Sequence, residues 1–362
     1  MGASSGERRV PRELGFRMPA EWEPHQATWL AWPHNRQDWP GKFQPIQWVY
    51  AEIVRHLARV ERVCIIVKDE RQESSARRVL SRSAANLDKV DFYRWPTDRV
   101  WARDSGPIFL KNDDTNETAI TNWRFNGWAK YPNWKNDDQI PARVAEVLSK
   151  RSWRPTVSLA GGKQHRVVLE GGSIDVNGRG TLLTTEECLL SPIQARNPGV
   201  GREQLEACFF GFLGISNVIW LDRGITGDDT HGHVDDVSRF VAPGRIITCI
   251  EPDPTDPNHK LLDHNLRRLK SARLEDGARP DIIELPMPAP VIFDGQRLPA
   301  SYANFLVANG IVLVPVFNDP NDRIALDILA QAIPERNIIP IYCRDFVWGL
   351  GTIHCASQQQ PA

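Results

Sequence analysis

A recurring unit of roughly 65 residues is the feature that most constrains how this chain folds. Each unit begins with a polar motif and continues with a strand, a turn containing Gly or Asn, and a second strand. The polar positions Asp104, Glu170, Asp235 and Asn304 follow one another at intervals of 66, 65 and 69 positions. The four stretches are RDSGPIFLKNDDTNETAITNW, EGGSIDVNGRGTLLTTEE, HVDDVSRFVAPGRIITCIEPD and YANFLVANGIVLVPVFND. Turn dipeptides between apolar runs are typical of β-hairpins.

Helix-like segments follow the hairpins. In IPARVAEVLSKR, GREQLEACFFGFLG and NDRIALDILAQAI the apolar residues recur at spacings of three and four. Hairpins and helices at a fixed period predict a radial array of α/β units, in which the polar motifs face one central cavity. A fifth unit would be split between ATWLAWPHN and ERVCIIVKD near the start and NIIPIYC and the Cys355 segment at the end. The alternative is an ordinary α/β domain with evenly spaced hairpins.

The sequence contains no linker that would divide this array. We therefore expect one domain over residues 15–362, preceded by a flexible N-terminal extension over residues 1–14.

Composition excludes several classes of partner. The formal net charge is -1, so the chain lacks the basic excess that nucleic-acid binding requires. The longest apolar runs, such as GIVLVPVF, are far shorter than the roughly 20 residues of a membrane helix. The N-terminus has no apolar signal core, and the six cysteines are scattered without a CxxC pair. These features predict a cytoplasmic protein with reduced thiols and neither a nucleic-acid nor a membrane partner.

Each polar motif has an ordinary structural interpretation when it is taken alone. WARDSGP could contain a structural ion pair, and the glycines of LEGGSID could form a simple bend. DDTHGHVDD could be a solvated acidic loop, and Cys355 could be a buried thiol. The His and Asp residues of DDTHGHVDD also resemble zinc ligands. However, the HExxH spacing is absent and no second tight ligand pair occurs, so we expect no metal.

On neighbouring loops of one closed array, the same motifs form a reactive set. A Cys, a His and several carboxylates supply a nucleophile, a general acid/base and a clamp for a cation. Carboxylates match a planar guanidinium with paired, charge-assisted hydrogen bonds. A bound cation also lowers the pKa of a nearby thiol. The sequence therefore favours a small cationic guanidino substrate.

These segments resemble the agmatine deiminases of the bacterial peptidylarginine deiminase-type family, within the guanidino-group-modifying superfamily. The resemblance runs from about residue 15 to the end and lies in FRMPAEWEPHQATWLAWP, WARDSGP, LEGGSIDVNGRGTLLTTEECLLSP, GHVDD, SYANFLVANGIVLVPVFND and GTIHCASQQQP. It implies a five-bladed α/β propeller of ββαβ units around a central active-site cavity. It also implies hydrolysis of agmatine to N-carbamoylputrescine and ammonia, a step of putrescine biosynthesis, without a cofactor.

The resemblance implies a role for each catalytic candidate. Cys355 would be the nucleophile that attacks the guanidinium carbon and forms a covalent thiouronium. His233 would protonate the departing ammonia and then activate water. Asp104 and Asp235 would hold guanidinium nitrogens, and Glu170 would pair with the histidine or the substrate.

The predicted substrate-binding residues are Trp101, Arg103, Gly172, Trp22 and Glu23. Trp101 would form an aromatic wall. Trp22 and Glu23 are candidates for the second cation of agmatine, at the mouth of the pocket. The tail GLGTIHC differs from the GGGNIHC of many relatives, and His231 stands where some relatives have other residues.

Several alternatives stay open at this point. The substrate could be arginine or peptidyl-arginine instead of agmatine, and an amidinotransferase would use the same covalent intermediate. A silent binding module for cationic amines or a metal-dependent hydrolase would belong to other classes. The resemblance also suggests a homo-oligomer.

Overall fold

The computed structural model describes residues 9–362 of the 362-residue chain. Within them the protein has a mixed α/β fold with several small sheets, as the sequence predicts at this level. The helices are α1 (Phe43–Leu57), α2 (Glu70–Arg82), α3 (Ala102–Ser105), α4 (Ile140–Val147), α5 (Glu186–Leu190), α6 (Arg202–Leu213), α7 (Pro257–Ser271) and α8 (Asn321–Ala332).

The strands of the first half of the chain are β1 (Phe16–Arg17), β2 (His25–Ala31), β3 (Arg62–Val67), β4 (Val90–Arg94), β5 (Ile108–Asn112), β6 (Thr118–Thr121), β7 (Ser152–Trp153), β8 (Thr156–Ser158), β9 (Gln164–Arg166), β10 (Asp175–Val176) and β11 (Thr181–Thr185). The remaining strands are β12 (Asn217–Leu221), β13 (Ser238–Ala242), β14 (Arg245–Ile250), β15 (Asp281–Pro286), β16 (Ile292–Phe293), β17 (Gln296–Arg297), β18 (Leu306–Ala308), β19 (Ile311–Val316), β20 (Asn337–Tyr342) and β21 (Ser357–Pro361).

Four of the larger sheets repeat one topology. Two antiparallel strands form a hairpin, and a third strand then pairs in parallel with the second: β5-β6-β7, β10-β11-β12, β13-β14-β15 and β18-β19-β20. One or two helices connect the second strand to the third, as a parallel crossover requires. The periodic segments of the sequence form α4, α6 and α8, as predicted.

The fifth large sheet joins the two ends of the chain. Its order is β21-β2-β3-β4, with β21 antiparallel to β2 and the other pairs parallel. The sequence predicts this split unit from its first two segments and the Cys355 tail. It wrongly includes NIIPIYC, which forms β20 and pairs with β19 of the preceding sheet. The C-terminal strand is buried, so the segment after Cys355 is fixed in a sheet.

The apolar residues pack into two buried clusters. The larger cluster contains residues of β2, β3, β14, β19 and the helices that cover them, and the smaller one contains residues around β11 and α6. Before β1, Pro11–Leu14 forms a 3₁₀ helix, and Arg12 lies 3.6 Å from the centre of the Phe210 ring on α6. Residues 9–14 of the predicted extension therefore contact the domain, and its first eight residues lie outside the described part. No helix within residues 9–362 is both long and apolar enough to cross a bilayer.

Candidate active site

Each of the five large sheets has one polar residue just before one of its strands. Asp104 belongs to α3 before β5, Glu170 precedes a 3₁₀ turn before β10, and Asp235 lies in a 3₁₀ turn before β13. Asn304 and Cys355 precede β18 and β21. Together with His233 they converge on one buried cluster. Equivalent positions of the repeated unit are thus brought within a few ångströms of each other.

Cys355 is the nucleophile candidate of this cluster. Its Sγ lies 3.0 Å from Nδ2 of Asn304, which donates to it, and 3.8 Å from Oδ2 of Asp235. The residue is 5% exposed. Burial, together with the charges of Asp235, Asp236 and Asp104, raises the pKa of this thiol well above its ordinary value. The resting side chain is therefore a thiol, and a cation bound beside it would favour the thiolate.

His233 lies among three carboxylates. Its Nδ1 is 3.7 Å from Oδ1 of Asp104 and 4.0 Å from Oδ1 of Asp235, and its Nε2 is 3.9 Å from Oε2 of Glu170. The ring is fully buried, and neither nitrogen has a hydrogen-bond partner among the described residues. Burial alone lowers the pKa of an imidazole, but Asp104, Glu170 and Cys188 outweigh it and raise this pKa well above the usual value. A protonated ring here can act as an acid.

Gly172 lies at the centre of this group. Its N–H donates to Oδ1 of Asp104 over 3.1 Å. A Cβ at this position would come within 2.7 Å of Nδ1 of His233 and 2.8 Å of Oδ1 of Asp104. Such distances are too short for real Cβ contacts. The backbone therefore approaches His233 and Asp104 as closely as only glycine allows.

The carboxylates differ in their protonation. Burial raises the pKa of Asp104 to about 6, although Trp128 donates a hydrogen bond to its Oδ2 over 2.9 Å. For Glu170, burial is opposed by Arg196, whose Nε donates to Oε1 over 3.0 Å, and by His233, so its pKa falls to about 2. Glu170 is therefore ionised at neutral pH, whereas Asp104 takes up a proton in mildly acidic solution.

A second histidine fixes Asp235. Nδ1 of His354 donates to Oδ2 of Asp235 over 2.6 Å, and Nε2 of the same ring lies 2.8 Å from Oε2 of Glu21. Glu21 in turn accepts from Arg239 over 2.6 Å. Burial would raise the pKa of Asp235, but the hydrogen bond and charge of His354 lower it below the usual range. Asp235 is thus held ionised and oriented.

The sequence analysis did not predict that His354 and Glu21 hold Asp235 in place, and it did not predict the role of Asn304. Oδ1 of Asn304 accepts hydrogen bonds from Oγ1 of Thr352 over 2.7 Å and from the N–H of His354 over 3.1 Å. Thr352, a departure from the tail of many relatives, therefore helps to orient Asn304. The position of Asn304 in the 65-residue series and the pairing of His354 with Cys355 in the sequence were the available signals.

A pocket leads from the surface to Cys355 and Asp104. Trp101, a predicted substrate-binding residue, lines it and packs against Gly351, where a Cβ would meet the indole at 2.8 Å. Leu350 lines it with a left-handed backbone, φ 69°. The lining residues are Arg99, Trp101, Asp104, Trp128, Tyr131, Asp229, Thr230, Gly349, Leu350 and Cys355. The walls are aromatic, as suits a cationic ligand.

Four of the five predicted substrate-binding residues do not line this pocket; Gly172 lies beside Asp104 in the buried cluster, and the other three contact other parts of the chain. Arg103 points the other way, where its Nε donates to the carbonyl of His354 over 3.3 Å. Glu23 pairs with Arg17, and the Trp22 carbonyl accepts from Arg336. These three residues are not among those that line the pocket, and their assignment to substrate stays a prediction. Besides Asp104, the acidic residue that lines the pocket is Asp229, which accepts from the Tyr131 hydroxyl over 2.6 Å and pairs with Lys130.

Two sets of side chains in the described part of the chain could hold a metal ion. Their ligand atoms lie within 4.8 Å of one another, and the sets are Glu170, Cys188 and His233, and Asp235, Asp236 and Cys355. His231, the other histidine of DDTHGHVDD, belongs to neither set, and its Nε2 lies 3.2 Å from Oγ of Ser191. The two histidines of this segment therefore do not act as a ligand pair.

Several known proteins resemble this chain over nearly its full length. An agmatine deiminase of Ectopseudomonas mendocina is 35% identical over 376 residues, covering 98% of this chain and 97% of that protein. The structure of agmatine deiminase of Enterococcus faecalis matches with a TM-score of 0.88 at 30% identity, over 100% of this chain and 99% of the other. A Campylobacter jejuni agmatine deiminase with a Cys-to-Ser substitution and bound substrate matches with a TM-score of 0.83 at 27% identity, over 96% of each chain.

The family profile described as Porphyromonas-type peptidyl-arginine deiminase matches residues 17–361, nearly the whole chain. The chain therefore belongs to the Porphyromonas-type peptidyl-arginine deiminase family.

Proposed function

We propose that this protein hydrolyses the guanidinium group of agmatine to give N-carbamoylputrescine and ammonia. The observation that carries the proposal is the position of Cys355 in one buried cluster with His233 and three carboxylates. Relatives over nearly the full length are named agmatine deiminases, which supports the same reaction. Formation of a polyamine precursor would place the enzyme in putrescine biosynthesis.

Asp104 and Asp235 would bind the guanidinium. Both carboxylates are buried and lie close to Gly172, so a planar cation bound by them would form charge-assisted hydrogen bonds shielded from water. The charge of the bound guanidinium would lower the pKa of Cys355 and allow its proton to leave. Substrate binding and activation of the nucleophile would thus occur together.

The reaction would proceed in two steps. The Cys355 thiolate forms a C–S bond to the guanidinium carbon, and a C–N bond breaks as His233 protonates the departing ammonia. The remaining thiouronium is then attacked by water, from which His233 takes a proton. Formation of the C–O bond and cleavage of the C–S bond release the ureido product and restore the thiol.

Acid inhibition should follow from the state of Asp104. Only the ionised carboxylate binds a guanidinium, and its pKa is about 6, so the ionised fraction falls below that pH. We expect kcat/KM for agmatine to decrease as the pH is lowered through about 6, with a slope approaching tenfold per pH unit. Rates measured between about pH 5 and pH 8 test this prediction. In Asp104→Asn, the decrease of kcat/KM on the acidic side of the pH profile should disappear. A flat wild-type profile over that range would contradict it.

Asp229 is our candidate for the distal amine of agmatine, in place of Glu23. It lines the pocket on the side of Tyr131 and forms an ion pair with Lys130, whereas Glu23 does not line the pocket and pairs with Arg17. Asp229→Asn should lower kcat/KM for agmatine by about 10- to 100-fold, the cost of a charged hydrogen bond of about 1.5–3 kcal/mol. The rate with butylguanidine, which lacks that amine, should change little.

Glu23→Gln is the matched control variant, and it should leave agmatine turnover close to wild type. Equal losses for agmatine and butylguanidine in Asp229→Asn would show that Asp229 serves the fold and does not recognise the amine.

A substrate panel tests the function as a whole. Ammonia and ureido product are measured with agmatine, arginine, a peptidyl arginine and guanidinobutyrate, and agmatine should give the highest kcat/KM. Preferred transfer to an added amine would identify an amidinotransferase instead, and binding without turnover would identify a binding module. Loss of activity with a chelator would identify a metal-dependent hydrolase.

We also propose a finer description of the architecture and setting. The five large sheets would be the blades of a propeller whose axis passes through the site, since each sheet contributes one segment to it. Six buried, free cysteines support the predicted cytoplasmic location. A single domain over residues 15–362, an oligomer of identical chains and the absence of a nucleic-acid partner stay predictions.

A further inference from the structure

We propose that Glu170, Cys188 and His233 form a binding site for a soft divalent cation, typified by Zn²⁺, and that its occupation inhibits the enzyme. One carboxylate oxygen, one sulfur and one ring nitrogen lie within 4.8 Å of one another. All three residues are buried, at 0%, 1% and 0% exposure respectively. Cys188 influences the pKa of His233 but forms and breaks no bond in the reaction proposed above.

The ligand types suit zinc. Zn²⁺ binds Cys sulfur, His nitrogen and carboxylate oxygen, with bonds of about 2.0–2.3 Å and tetrahedral geometry. Oε2 of Glu170 and Nε2 of His233 are 3.9 Å apart, too far for a hydrogen bond but close to the separation of two ligands on one metal. Only a small contraction of the triad would therefore be needed.

The two atoms that face this space are unpartnered. Within residues 9–362, Oε2 of Glu170 and Nε2 of His233 form no hydrogen bond, although both side chains are fully buried. Buried polar atoms are nearly always satisfied. A metal bound to both atoms would remove this deficit. Its third ligand would be the thiolate of Cys188, and the protons of this thiol and of Nε2 of His233 would be released to solvent on binding.

The surroundings orient the ligands as metal sites do. A metal-bound histidine usually donates its other ring N–H to a carboxylate, and Nδ1 of His233 faces Asp104 and Asp235. Arg196 holds the other oxygen of Glu170. The charge of Arg196 opposes a cation, but two anionic ligands offset it. The site should therefore bind zinc as a reversible inhibitor.

Inhibition rests on the proposed function, whereas binding does not. A metal on Nε2 of His233 and on Glu170 would occupy the acid/base without contacting Cys355. A different site, formed by Asp235, Asp236 and Cys355, would block the nucleophile itself. The two sites differ in the cysteine that they require, so cysteine variants distinguish them.

Binding is tested first in a Cys355→Ser protein, which lacks the competing thiol. Equilibrium dialysis with Zn²⁺ should find one ion per chain, and Co²⁺ should give a thiolate-to-metal absorption band. Both signals should disappear when Cys188→Ser is added and persist when the control Cys208→Ser, at another buried thiol, is added instead. Cys188→Ala is used in the same way if the serine variant does not fold.

Inhibition is tested with proteins that retain Cys355. Cys188→Ser should raise the Zn²⁺ concentration for half-inhibition by at least about tenfold, and Cys208→Ser should not change it. The proposal is overturned if Cys188→Ser stays as sensitive as wild type, if Cys355→Ser alone abolishes binding, or if no variant binds zinc. If agmatine is not hydrolysed at all, the dialysis result still decides whether the site exists.

Discussion

Replacing Cys355 with Ser should reduce kcat for agmatine by about 10⁴-fold or more, the scale seen when a catalytic nucleophile is removed. A hydroxyl is a far weaker acid than a thiol, so the charge of a bound guanidinium does not ionise it at neutral pH. The hydrogen bond from Asn304 and the surrounding carboxylates remain in place. Steady-state kinetics with agmatine and a calorimetric measurement of agmatine binding give the result.

The variant should lose turnover and keep binding. Guanidinium recognition is assigned to Asp104 and Asp235, neither of which the substitution touches. Cys208→Ser is the control for replacing a buried thiol elsewhere, and its kcat should stay near wild type. Residual turnover within tenfold of wild type in Cys355→Ser would remove the covalent mechanism.

Replacing His233 with Gln should lower kcat by about 10²- to 10⁴-fold, the usual contribution of a general acid and base. The imidazole, whose pKa is raised, is a cation among Asp104, Asp235 and Glu170. Its removal takes a positive charge away from the place where the cationic substrate binds. KM should therefore stay constant or fall, so that the loss lies in kcat.

His231→Gln provides a control two positions away in the same segment. Its ring contacts Ser191 and lies outside the cluster, so its kcat and KM should remain near wild type. Equal losses in the two variants would show that the segment acts through folding. A loss in His233→Gln that lies only in KM would assign this ring to binding.

The convergence of the site was predictable because the chain repeats one unit. When a unit recurs at a constant interval, equivalent positions come to equivalent places in the array, and Asp104, Glu170, Asp235 and Asn304 share one position in the unit. Cys355 fits the series because β21 pairs with β2 and completes the fifth sheet. The prediction that these residues converge did not require the direction of their side chains.

Side-chain direction explains why some predicted substrate-binding residues do not line the pocket. Arg103 is adjacent to Asp104, but neighbouring residues of the short helix α3 point to different sides, so one faces the pocket and the other contacts His354. Glu23 finds Arg17 as its partner, six positions away in the sequence. A sequence alone does not show which of several carboxylates lines the pocket.

The remaining omissions depend on contacts between distant segments. Glu21 and His354 are 333 positions apart, and Asp229 reaches the pocket through a loop that has no periodic pattern. NIIPIYC was placed in the wrong sheet because a short apolar strand carries no information about its partner strand. These features follow only from the three-dimensional packing of the sheets and loops.

The account depends most directly on a covalent bond between Cys355 and the guanidinium carbon. Wild-type protein is mixed with excess agmatine, quenched in acid during turnover and analysed by intact mass spectrometry and peptide mapping. We expect a mass increase equal to agmatine less ammonia, located on the peptide that contains Cys355 and absent from Cys355→Ser. Rapid turnover with no adduct at any quench time, or an adduct on another residue, would contradict the account.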